Sequence, residues 1–94
     1  MRNTIFKFPF EIVDKLVLTM PKGAKVLSVQ MQSNQPCLWA IVDKGAPMET
    51  REFRLAGTGH DLPDDAILNT MKFIGTFQMY GGSLIFHLFE CERS

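Results

Sequence analysis

Apolar residues recur at every second position through most of this chain, and turn-forming residues interrupt them at short intervals. A period of two predicts strands with one buried face. The pattern places strands at residues 4–8, 15–20, 25–32, 36–43, 50–57, 73–80 and 83–91. Pro9 ends the first, and Pro21-Lys22-Gly23 the second. Six to seven short strands at this spacing predict a mainly β fold, a small antiparallel sandwich or barrel. One short helix is predicted over residues 63–71. Asp61 would cap it, and Pro63 suits a first turn, where the missing N–H costs nothing. Asp64 and Asp65 would then meet the positive end of its dipole.

Turn chemistry fixes two hairpins more closely. Gly81-Gly82 supplies the positive φ angles of a two-residue turn. That turn sets Phe77 opposite Phe86, Met79 opposite Leu84, Thr76 opposite His87 and Gln78 opposite Ile85. The same register carried further sets Ile74 opposite Phe89. With Asn34-Gln35 as the second loop, Leu27, Val29 and Met31 share a core face with Leu38, Ala40 and Val42. Trp39 then lies on the reverse face, opposite Gln30, with Cys37 and Ile41. Apolar groups on such outer faces need cover, and the expectation is a homo-oligomer with any cleft at its seam. The alternative cover is the helix or another strand of the same chain.

Length bounds this picture to one domain, residues 1–94. A chain of this size buries roughly 60–65% of its unfolded surface, which supports one thin core. Ten basic and ten acidic residues give a formal net charge of zero, and no block of like charge appears. Binding to polymeric nucleic acid or to an anionic membrane through bulk charge is therefore not expected. No stretch is long and apolar enough for a membrane helix. Near the N-terminus Glu11 and Asp14 follow Arg2 and Lys7 before any apolar run, so no secretory signal is expected. The two cysteines, Cys37 and Cys91, are then expected to stay reduced, in the cytoplasm.

Chemistry concentrates in "GTGHDLPDD", residues 57–65. A Gly-Thr-Gly-His segment before a helix offers backbone N–H groups that can nest around a phosphate. Asp61, Asp64 and Asp65 oppose that role, and the segment lacks the lysine of a phosphate loop and the third glycine of a dinucleotide fingerprint. The plain alternative is a strand end, a tight turn and a capped helix. No metal site is expected: His87 and Cys91 on one strand stand about 13 Å apart at about 3.3 Å per residue. His87 reads as a structural histidine satisfied by the Thr76 hydroxyl. Arg51 and Arg54 fall on opposite faces of their strand and make no joint clamp. A lone tryptophan, Trp39, marks an interface or a stacking platform.

The stretches "MPKGAKVLSVQMQ", "PCLWAIVD", "GTGH" and "IGTFQMYGGSLIFHLFE" resemble a family of small uncharacterised proteins encoded by tailed bacteriophages and prophages. The resemblance runs over nearly the whole chain; "DAILNTMK", between Pro63 and Phe73, is longer than the family pattern. It implies no established activity. It does imply a setting in which small proteins sequester signalling nucleotides or inhibit host proteins.

Together these readings favour a noncatalytic binding module without cofactor or catalytic residues. It would hold a phosphate-bearing, nucleotide-like ligand through Thr58, Gly59 and His60, with Trp39 stacking on the planar part, and so counter host defence. The alternative is a protein-interaction module that inhibits a host protein or serves phage assembly. A small hydrolase using His60 and Asp61 is the least supported, since no nucleophile accompanies them.

Overall fold

A computed structural model describes residues 2–92. Among them run seven strands: β1 (Asn3–Pro9), β2 (Lys15–Pro21), β3 (Lys25–Gln32), β4 (Gln35–Asp43), β5 (Met48–Gly57), β6 (Met71–Met79) and β7 (Leu84–Cys91). They form two antiparallel sheets, ordered β1-β4-β3 and β2-β5-β7-β6. The fold is mainly β, as the period of two predicts. The inward residues of each strand meet in one core. Leu38, Val42, Met20, Phe53 and Leu88 are almost wholly buried there, with Leu16, Val29 and Phe77 around them. Burying a side chain of this size contributes about 1.5–3 kcal/mol, before the entropy of ordering it.

The β6–β7 hairpin has the predicted register near its turn. Ser83 N–H donates to Tyr80 O across Gly81 (φ 66°) and Gly82 (φ 95°). Phe77 pairs with Phe86, Thr76 with His87 and Met79 with Leu84. Farther from the turn the register slips. Ile74 is an extra residue, so Phe73, rather than Ile74, lies opposite Phe89. The bulge turns Ile74 toward the core and leaves Phe73 outward, edge-on to Phe89 at 5.5 Å.

The β3–β4 hairpin departs from expectation by two positions. Its turn is Ser33-Asn34, both at positive φ (50° and 67°), so Gln32 pairs with Gln35 and Val29 with Leu38. A shift of two preserves the faces, because side chains alternate with period two. Leu38, Ala40 and Val42 therefore still face the core, and Trp39 still faces out, but opposite Ser28 instead of Gln30. A second bulge at Leu27 sends Val26 inward and exposes Leu27. The sheets come closest where these two bulged strands, β3 and β6, meet. Gly75 makes that approach feasible, since a β-carbon there would stand 3.0 Å from Val29 Cγ1.

The helix is shorter than the predicted 63–71. It is a single turn, α1 (Asp65–Leu68), and Asp64, not Asp61, is the cap, its carboxylate accepting from Ile67 N–H at 3.3 Å. Met71 already belongs to β6, where pairing with Cys91 is available. No helix among the described residues is long and apolar enough to cross a membrane.

Candidate functional site

The site is built by the connection between β5 and β6. Both strands pair antiparallel with β7, which lies between them, so they run parallel to each other. The chain must therefore travel from Gly57, paired with Phe86, back to Met71, paired with Cys91 at the other end of the sheet. A tight turn starts this return. His60 N–H donates to Gly57 O at 3.0 Å, with Gly59 at φ 86°. The His60 ring folds back onto Gly57, where a β-carbon would lie 2.7 Å from Nδ1.

Residues 60–63 then wall a cavity of about 340 Å³ with Asp14, Arg54, Ala56 and Met71. On its other flank His60 borders a smaller cavity, about 170 Å³, with Thr58, Ser83 and Phe86. Among the described residues Arg54 is the one arginine or lysine in the larger cavity's wall, against the carboxylates of Asp14 and Asp61. Its Nε is shielded from solvent and makes no hydrogen bond; Glu52 Oε2, at 3.7 Å, attracts it electrostatically but is too far to accept. A shielded guanidinium N–H without an acceptor is costly, and the residue as a whole is the cation in this cavity's wall. Asp14 and Asp61 add acceptors to the rim. The arrangement suits an anion at Arg54 and His60, with hydroxyl or amino groups reaching the two carboxylates. The seam cleft expected from sequence has a counterpart complete within one chain.

Of the residues singled out by sequence, His60 lines this cavity, whereas Thr58 has a different task. Thr58 N–H donates to Ile85 O at 3.1 Å, and its hydroxyl shares a 2.7 Å hydrogen bond with His87 Nε2. The Thr76 hydroxyl shares another, 2.8 Å, with His87 Nδ1, as the hairpin register predicts. Thr58 thus anchors the turn to β7. With Thr58 and His60 N–H groups spent inside the fold, the expected phosphate nest is reduced to Gly59 N–H. Trp39 is elsewhere, on the outer face of the β1-β4-β3 sheet between Lys7 and Ser28, and lines neither cavity.

Arg54 is the cavity residue that sequence reasoning misses. Its placement on the face opposite Arg51 is legible from their odd spacing, but the chain segment that covers it is not. Arg51 itself is structural. Its Nε and Nη2 reach the Glu90 carboxylate at 2.6 and 2.9 Å, and Nη1 donates to Ala24 O at 2.6 Å. The Glu90 hydrogen bond chiefly raises the Arg51 pKa, burial opposes this, and the charges of Glu90 and Glu49 add to it. Among the described residues no three His, Cys, Asp or Glu side chains converge as metal ligands would.

Fold and site together define a small two-sheet β domain with a charged cavity beneath its one long crossover. The chain belongs to the DUF7352 family, a domain of unknown function, whose pattern it matches over residues 1–94. No curated protein and no solved structure matches it.

Proposed function

We propose that this domain is a noncatalytic binding module whose ligand is a small, anion-bearing, nucleotide-like molecule held beneath the β5–β6 crossover. Arg54 carries this reading: among the described residues it is the one arginine or lysine in the wall of a cavity of ligand size, and no carboxylate among them lies within hydrogen-bonding distance of its Nε. His60 and Arg54 bind the anionic group, and Asp14 and Asp61 take the ligand's donors. In a phage-infected cell such a module sequesters a signalling nucleotide and blunts the defence that depends on it. Both ring nitrogens of His87 are occupied by threonine hydroxyls, which suits a scaffold histidine better than a proton carrier.

The test is thermal unfolding with a panel of mono-, di- and cyclic nucleotides and ADP-ribose. A true ligand at about 100 times its Kd stabilises by about 2.7 kcal/mol, and Arg54→Gln abolishes the gain. Absence of stabilisation by every member at about 1 mM, or a gain that survives Arg54→Gln, overturns the reading.

A second reading, docking on a host protein, is favoured by one observation. Phe73 is 57% exposed although it packs against Phe89, leaving an aromatic pair on an outer face.

A further inference from the structure

The first strand leaves one edge of its sheet without a partner strand. Two bonds fix which of its groups lie there. Lys44 N–H donates to Arg2 O at 3.1 Å, and Phe10 N–H to Pro36 O at 3.0 Å. In the β1–β4 register, the even-numbered residues of β1 therefore bond to β4. Asn3, Ile5 and Lys7 turn their N–H and C=O groups outward. Pro9, next in that series, has no N–H to offer.

The same strand exposes apolar groups on both faces, Ile5 (57%) outward and Phe6 (40%) on the core side, beyond the reach of the opposite sheet. Lys7 is the only charged side chain within it. Open edges are normally short, charged or covered, because an apolar one recruits another strand.

We propose that this edge pairs antiparallel with the same strand of a second copy, about a two-fold axis at Ile5. In that register Ile5 faces Ile5, and Asn3 faces Lys7. Every outward N–H from Asn3 to Lys7 then finds a carbonyl, and Pro9 stays outside the pairing. The register with Phe6 on the axis makes as many backbone bonds, but it sets Ile5 against Lys7 and Asn3 against Pro9, so the apolar Ile5 pair on the outer face is lost. On the core side Phe6 comes opposite Thr4 of the second copy and diagonal to its Phe6, within reach of an aromatic ring. Two three-stranded sheets thereby join into one, and the Arg54 cavity takes no part.

Sedimentation of the full chain tests this. The expected mass is twice the 10.7 kDa of one chain. Ile5→Lys sets two lysines face to face and weakens association by at least about tenfold. Val17→Lys, on the edge strand β2, leaves association unchanged. An independent arm, Ile5→Cys, forms a disulfide-linked dimer on mild oxidation, since facing hydrogen-bonded positions stand about 5.5 Å apart between α-carbons. A monomer at about 100 μM, dimers indifferent to Ile5→Lys and not linked by Ile5→Cys, or open-ended assemblies overturn the proposal.

Discussion

The imidazole of His60 rests on the α-carbon of Gly57, three residues back along the chain, and nothing larger than hydrogen fits between them. A β-carbon on Gly57 would approach Nδ1 to 2.7 Å and Cε1 to 2.8 Å. The obstacle is the movable end of a side chain and not backbone. Gly57→Ala should therefore be cheap for the fold, costing about 1 kcal/mol or less, because the ring swings away. It should be expensive for binding, since His60 then leaves the cavity wall. Ligand affinity is expected to fall about tenfold or more with little change in Tm. Equal losses in stability and binding would show that the contact serves the fold alone.

The Arg51–Glu90 pair predicts a different balance. Both side chains are less than one-fifth exposed, and they meet through two short bonds. Glu90→Gln removes a charge from a shielded guanidinium, and the expected loss is about 1–3 kcal/mol in chemical denaturation. Ligand binding should be unaffected, because the pair does not line the Arg54 cavity. The sign of the pH dependence follows from the raised Arg51 pKa. A cation whose folded pKa lies above its unfolded one contributes fully below the unfolded value and loses that contribution only as pH rises through the folded value. The Arg51 contribution is therefore flat from neutrality to about pH 10. A loss of stability between those limits in the native chain, absent from Glu90→Gln, would contradict this.

Much of this architecture is legible in the sequence, and the reason differs between the two hairpins. Gly81-Gly82 marks its own turn, because positive φ angles are easiest for glycine, and Tyr80 (φ 52°) before them adopts one as well. At the other hairpin Ser33 and Asn34 adopt positive φ, which side-chain-bearing residues seldom signal in advance, and the register expected from Asn34-Gln35 is two positions off. The core face survives because two is the period of a strand. The bulges at Leu27 and Ile74 are illegible: an extra residue leaves no mark on the alternation until the partner strand is in place. The site divides in the same way. His60 stands out by its glycine neighbours, a local signal. Arg54 becomes notable only when residues 60–63 fold back beside it, a non-local event. Trp39 is prominent by residue type, and its position two strands into the other sheet is not.

His87 offers a test of the scaffold beneath the loop. A neutral ring satisfies both threonines by accepting from one hydroxyl and donating to the other. Removing the hydroxyl in Thr76→Val should cost about 0.5–1.5 kcal/mol, and Thr58→Val a similar amount. The two bonds share one ring, so the losses should couple. In the His87→Phe background both valine substitutions should become nearly neutral, whereas additive losses in a double-mutant cycle would show that the ring does not bind the threonines together.

The two thiols should differ in reactivity for separate reasons. Cys37 is 1% exposed, and its Sγ lies 3.5 Å from Gln35 O. Lys7 Nζ donates to Gln32 Oε1 at 2.7 Å, bridging β1 and β3 across the β4 position that Cys37 occupies. Its protection is steric, and Lys7→Ala should open it to alkylation. Cys91 is partly accessible, but burial first, and then the negative charge of Glu52, push its thiol above the ordinary range. A raised pKa means less thiolate at a given pH, and thiolate is the reacting form. Cys91 should therefore react with iodoacetamide before Cys37 but more slowly than a free cysteine, and its rate should keep rising at pH values where the free thiol has levelled off. Glu52→Gln should shift that rise to lower pH. Alkylation of Cys37 first, or a Cys91 midpoint below that of the free amino acid, would refute the assignment of steric cover to one thiol and electrostatic restraint to the other.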